Sequence, residues 1–161
     1  MKSPKYLSEK IALSLSTFFS VGYFPFASGT VASFFALIIY WIIPGFEKIG
    51  ILTVLIVIFS ILGIWSGTIG EKKFGYDPPQ VVIDEVVGMW ISLLFIPKTI
   101  ILSALSFFLF RMFDIVKPYP ANVSQSLKGG YGIMMDDIIA GIYTILTIQL
   151  IIYFFPDIII L

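Results

Sequence analysis

The stretch IGILTVLIVIFSILGIWSGTIG, residues 49–70, runs 22 positions without a charge. A helix needs about 20 predominantly apolar residues to cross a hydrocarbon core, so this segment reads as a membrane span. IIAGIYTILTIQLIIYFF, residues 138–155, reads the same way. The rest of the chain agrees with them. Of 161 residues, 58% are hydrophobic and 12% charged, with mean hydropathy +1.01. A soluble domain holds about 45–50% apolar and about 25% charged residues. The composition therefore predicts an all-α, compact helical integral membrane protein, residues 1–161 forming a single membrane-embedded domain.

Ten basic and ten acidic residues cancel to a net charge of zero, so nucleic acid is excluded as a partner on electrostatic grounds. Cysteine and histidine are both absent. That removes disulfides, thiolate nucleophiles, imidazole bases and Cys/His zinc sites. Chemistry is left to carboxylates, hydroxyls, Lys, Arg, backbone amides and hard metal ions. The basic start Met1-Lys2-Ser3-Pro4-Lys5 is followed by no small-residue cleavage site, so residues 1–10 read as a retained cytoplasmic tail.

From Ile11 to Phe46 no charge occurs. Pro25 and two glycines break this run at residues 22–30 (GYFPFASGT). The piece before the break, Ile11 to Val21, is too short to span and reads as interfacial or half-inserted. The piece after it, Val31 to Ile43, crosses only with the loop's help. Val86 to Ile96 and Thr99 to Phe110, separated by Pro97-Lys98, read as one kinked span or as a re-entrant helical hairpin. Charge placement favours the hairpin, because it leaves Arg111, Lys117 and Lys128 on the same side as Lys72, Lys73 and the basic tail, which the positive-inside rule makes the cytoplasm.

In so apolar a chain, ionisable groups pressed against hydrophobic segments mark function. VVIDEVVGMW, residues 81–90, carries Asp84 and Glu85, with Gly88 leaving room beside them; the plainer reading is a helix start with Asp84 as its cap. FRMFDIVKP, residues 110–118, stacks Arg111, Asp114 and Lys117 along one helical face, and Pro118 ends the helix at Lys117. These form either a structural ion pair or a cation pair that grips phosphate. GGYGIMMDDIIAG, residues 129–141, runs from a glycine-rich turn into Asp136 and Asp137 at the head of the last span, where Asp137, Gly141 and Thr144 share a stripe. Double acid capping is the plainer reading there. A fourth patch, PFASGT at 25–30, offers Ser28 or Thr30 as a helix cap and Gly29 as a point of close anion approach. Five carboxylates and two cations make a phosphoryl-transfer inventory, with oxygen-only ligation suited to Mg²⁺ and a lipid phosphate as substrate.

These motifs, in this order, resemble the phosphatidylglycerophosphatase A family, from about Gly22 to Gly141. The resemblance implies a Mg²⁺-dependent phosphatase of the bacterial inner (cytoplasmic) membrane, with its active site toward the cytoplasm. It implies hydrolysis of phosphatidylglycerophosphate to phosphatidylglycerol and inorganic phosphate, in phospholipid biosynthesis. The family's acidic pairs fall on Asp84 with Glu85 and on Asp136 with Asp137; its Arg-x-x-Asp-x-x-Lys face falls on Arg111, Asp114 and Lys117, and its Gly-Thr loop on Gly29 and Thr30. On this reading Asp84, Glu85, Asp137 and Arg111 are catalytic. Arg111, Lys117, Gly29 and Thr30 bind the substrate phosphate, and Asp84, Glu85, Asp114, Asp136 and Asp137 are the metal ligands. Water attacking in line is preferred over an aspartyl-phosphate intermediate. A phosphoalcohol transferase is disfavoured because its acids would be spaced along neighbouring helices rather than paired. A cation transporter or channel is the alternative, disfavoured because the acids lie at segment edges.

Overall fold

The computed structural model describes residues 4–159, which fold into seven α-helices and two short 3₁₀ turns, with no strand among the described residues. The helices are α1 (Pro4–Ser16), α2 (Ser28–Ile42), α3 (Ile49–Phe74), α4 (Ile83–Ser92), α5 (Ile100–Val116), α6 (Ala121–Ser124) and α7 (Gly130–Phe154). Met1 to Ser3, the start of the expected tail, lie outside the described residues. Helix already begins at Pro4, within that stretch.

Among the described residues, only α3 and α7 are long and apolar enough to cross a membrane. Within their apolar windows just 17% and 28% of residues are buried by the rest of the protein. They are therefore not the core helices of a water-soluble fold: Ile51, Val54, Ile58 and Ile61 on α3 and Leu146 and Leu150 on α7 face outward. So large an apolar exterior needs an apolar surrounding. The 15-residue α2 is apolar but shorter.

The segment after α3 is a hairpin. Helix α4 ends at Ser92, a non-helical stretch follows, and α5 returns, with its first turn capped by the Thr99 hydroxyl accepting from the Leu102 amide at 3.2 Å. The start of α4 and the end of α5 meet again, since Glu85 and Arg111 share the wall of one cleft, and further along a Cβ on Gly88 would lie 2.5 Å from the Phe110 ring. One end of the bundle thus gathers the starts of α2, α4 and α7 and the ends of α3 and α5. The other end carries the 43–48 loop and the hairpin turn, joined by the Lys98–Glu47 ion pair at 3.0 Å. Gln149 on α7 also donates to the Phe95 carbonyl there, at 2.8 Å.

Small residues set how closely the helices pack. α4 and α7 run parallel, and an added Cβ on Gly141 would stand 2.8 Å from the Gly88 carbonyl. One turn before each glycine lies an acid, Asp84 on α4 and Asp137 on α7, so this contact brings the carboxylates together. Trp90 donates its indole N–H to the Ala36 carbonyl at 3.1 Å, which fastens α4 to α2. Phe46, Phe59 and Trp90 stack edge-on beneath it. Helix α1 packs on the last turns of α3, with Ser8 and Glu9 beside Ile69, Lys72 and Lys73, and Ser16 against Gly70.

Candidate active site

The loop that delivers α4 is held by backbone rather than by capping side chains. The Val82 amide donates to the Ser16 carbonyl at 2.8 Å, and the Ser28 hydroxyl donates to the Pro79 carbonyl at 2.6 Å. Helix α4 is capped by Val82, so Asp84 does not cap it. Asp84 and Glu85 instead occupy the first helical turn, where the positive end of the helix favours acids. Ser28 and Thr30 do not cap α2 either, because Ala27 holds that position in a left-handed conformation. The expected placement of Asp136 and Asp137 at a helix head also needs correction. Helix α7 begins at Gly130, six residues before Asp136, so both acids sit inside its second turn. The glycines that resembled a loop are packing contacts: a Cβ on Gly130 would lie 2.0 Å from the Ile64 carbonyl, and one on Gly132 2.3 Å from the Leu127 carbonyl.

The acidic clusters converge. Oxygen atoms of Asp84, Glu85 and Asp137 lie within 4.8 Å of one another, and so do those of Asp114, Asp136 and Asp137. Asp137 belongs to both groups. Asp84, Asp114, Asp136 and Asp137 are 9, 8, 4 and 2% exposed, a depth at which unpaired ionised carboxylates cost several kcal/mol each.

The two groups differ in their partners. Arg111 Nη1 pairs with Asp114 Oδ2 at 2.8 Å and donates to Ser33 Oγ at 3.3 Å. Lys117 Nζ hydrogen-bonds Asp136 and lies 3.9 Å from Asp114. Burial opposes the Lys117 charge, but the Asp136 hydrogen bond and the acids around it hold its pKa above the usual lysine value. Lys117 caps α5 with φ 47°, the termination expected before Pro118. By contrast, Asp84 Oδ1, Glu85 Oε2 and Asp137 Oδ2 are buried with no hydrogen-bond partner, as is Arg111 Nε. Three converging carboxylates, each with a buried oxygen that has no partner, are the donor set of a hard cation such as Mg²⁺. Asp114 and Asp136 already have cations.

A cleft of about 450 Å³ opens beside this cluster, with Glu85, Arg111 and Gly29 in its wall, along with Tyr23, Ser28 and Gln80. Gly29 stands directly against Glu85, whose Oε1 would be 2.0 Å from an added Cβ. Thr30, one residue on, is not among the lining residues. Two participants escaped the sequence reading. Ser33, one turn after Gly29, was hidden in an apolar run, and Gln80 lay in a loop with no motif. Only the Gly29-x-x-x-Ser33 spacing on a single helix could have signalled the first.

The phosphatidylglycerophosphatase A family model matches residues 14–152. A Bacteroides thetaiotaomicron protein named "Putative phosphatidylinositol-3-phosphatase" is 40% identical over 157 residues, 92% of this chain and 95% of its own. Escherichia coli phosphatidylglycerophosphatase A is 32% identical over 131 residues, 80% of this chain and 76% of its own. The Haemophilus influenzae phosphatidylglycerophosphatase A is 43% identical over 77 residues, 45% of this chain and 46% of its own. No solved structure matches the chain.

Proposed function

The chain belongs to the phosphatidylglycerophosphatase A family, and on that premise we propose that it is a Mg²⁺-dependent lipid phosphatase acting on phosphatidylglycerophosphate. The products are phosphatidylglycerol and inorganic phosphate, which places the reaction in bacterial phospholipid biosynthesis. The observation that carries the reading is the convergence of Asp84, Glu85 and Asp137, each with a buried unpartnered oxygen, behind a cleft whose wall holds Glu85 and Arg111.

Asp84, Glu85 and Asp137 are the residues that would hold Mg²⁺. Held by these carboxylates, Mg²⁺ would offset their charge and would supply Lewis-acid polarisation of the phosphoryl group and a water of lowered pKa. Arg111 is held at the cleft by Asp114 and Ser33, which leaves its buried Nε–H as a donor for a phosphate oxygen. Lys117 supplies a second fixed positive charge for the negative charge that grows on the transferred group. Asp114 and Asp136 act here as holders of the two cations. Gly29 gives the Glu85 carboxylate its space, and the cleft beyond receives the headgroup.

The polar end of the bundle carries Lys10, Lys72, Lys73, Arg111, Lys117 and Lys128, against Lys48 and Lys98 at the other. That asymmetry supports an orientation with the site toward the cytoplasm. A second substrate is favoured by one finding, the relative named for an inositol lipid 3-phosphate.

The test is phosphate release by detergent-purified protein from phosphatidylglycerophosphate and from phosphatidylinositol 3-phosphate, with Mg²⁺, with EDTA, and with Asp84→Asn. We expect release from the first lipid that needs both Mg²⁺ and Asp84. Preference for the inositol lipid would replace the substrate, and folded protein inert on both would overturn the phosphatase reading.

A further inference from the structure

A second groove, of about 490 Å³, runs between α2 and α5 away from the cleft. It is lined by Phe34, Leu37, Ile38 and Trp41 on α2 and by Ile100 and Ala104 on α5. The polar group at its floor, the Ser103 hydroxyl, accepts from the Trp41 indole N–H at 3.2 Å. A water-filled groove would present free polar groups; this one presents an apolar surface.

Its position ties it to the phosphate site. The helices that form it are the two that carry Ser33 and Arg111, hydrogen-bonded to each other at the polar end. On the side toward that contact, the lining residue Phe34 pairs edge-to-face with Phe107 of α5, with centroids 6.2 Å apart. From Arg111 to Ile100 is eleven residues, about 16 Å at a helical rise of 1.5 Å per residue. One leaflet of hydrocarbon is about 15 Å deep, half of a ~30 Å core. On α5 the groove thus runs from Ala104, seven residues or about 10 Å below Arg111, to Ile100, within the depth a lipid tail reaches.

We infer that the α2–α5 groove seats one acyl chain of the lipid whose phosphate lies at Arg111, so that substrate enters sideways from the bilayer. The inference rests on the lipid-phosphatase reading above. The chain leaves one apolar setting for another, so the groove gains little from the hydrophobic effect. Its contribution is positional: a tail held along α5 fixes the height and angle of the phosphate at Arg111 and Glu85.

Ala104 is the small residue in the groove, and Ala104→Phe fills it. Ile61→Phe, on the outward face of α3, is the control. The readout is kcat/KM on the dioleoyl substrate and on the same headgroup with both chains removed. Ala104→Phe lowers the dioleoyl value by about tenfold or more and leaves the chainless value unchanged, while Ile61→Phe alters neither. No loss on the dioleoyl lipid, or equal loss on both substrates, overturns the inference.

A binding measurement separates this outcome from failure of the phosphatase reading. Phosphatidic acid with chains brominated at mid-length quenches Trp41 fluorescence more than brominated phosphatidylcholine at the same mole fraction. The excess vanishes in Trp41→Phe and in Ala104→Phe. Equal quenching by the two lipids overturns the groove whatever the activity. Excess quenching in a protein that hydrolyses no phosphomonoester supports the groove and refutes only the phosphatase.

Discussion

Gly29→Ala isolates the site from the fold. Gly29 is the second residue of α2 and has no positive φ, so alanine fits the backbone. The obstacle is Glu85: the new methyl would stand 2.0 Å from Oε1 and 2.9 Å from Cδ. Reaching an ordinary contact of about 3.5 Å requires the carboxylate to retreat by about 1.5 Å. A side-chain terminus can do this cheaply, and alanine in place of helical glycine returns up to ~1 kcal/mol. The melting temperature should therefore barely move. Activity should not survive so well, since a 1 Å misplacement of a reacting constellation costs on the order of 10²-fold, about 2.7 kcal/mol of transition-state stabilisation. The assay is kcat/KM for phosphate release beside thermal unfolding of the same preparation. In a Glu85→Ala background the methyl meets no carboxylate, so adding Gly29→Ala should cost no further activity and should leave or slightly raise the melting temperature. A Gly29→Ala enzyme within about threefold of wild type, or an undiminished loss without Glu85, would refute the argument.

Other outcomes follow from the same geometry. Asp137→Asn removes a buried charge with an unpartnered oxygen, so in EDTA it should raise stability by ~1–3 kcal/mol while abolishing phosphate release. Mg²⁺ at a hundred times its Kd should stabilise wild type by ~2.7 kcal/mol and the variant far less; thermal scans with and without the ion read both effects. Lys117→Ala leaves buried Asp136 without its cation and should cost ~2–3 kcal/mol in chemical denaturation. Gly88→Ala sets a methyl 2.9 Å from the Asp137 carbonyl, backbone that cannot turn aside, and should lose ~1–3 kcal/mol. Gly50→Ala, which meets nothing within 4 Å, should be neutral or slightly stabilising in the same melt.

Helix positions that rest on local pattern were readable from the sequence. The charge-free run at 49–70 is the body of α3, and Pro97-Lys98 does mark the hairpin turn. The start of α7 was not readable, because Gly129-Gly130-Tyr131-Gly132 carries the local signature of a turn. Yet Gly130 and Gly132 lie in helix, and the Ile64 and Leu127 carbonyls press where their Cβ atoms would be, so these two glycines answer a neighbour rather than their own dihedral angles. The acids themselves were legible, since a carboxylate in an apolar run is conspicuous. Their division of labour was not. Whether Asp114 meets Arg111 or a metal depends on side-chain partners that spacing along one helix cannot supply. Ser33 shows the same limit, for its role exists only because α5 arrives beside it.

The acid pair inside α7 has a further consequence. Beyond Asp137 the helix offers Ile138 to Phe154, seventeen residues, or about 25 Å of rise, against a hydrocarbon core of ~30 Å. A span shorter than its bilayer thins the membrane around it or draws its flanks inward. Here the flank is the acidic cluster. Bilayer thickness then sets the depth at which Asp136 and Asp137 ride beneath the headgroups, which makes the host membrane a mechanical part of the enzyme.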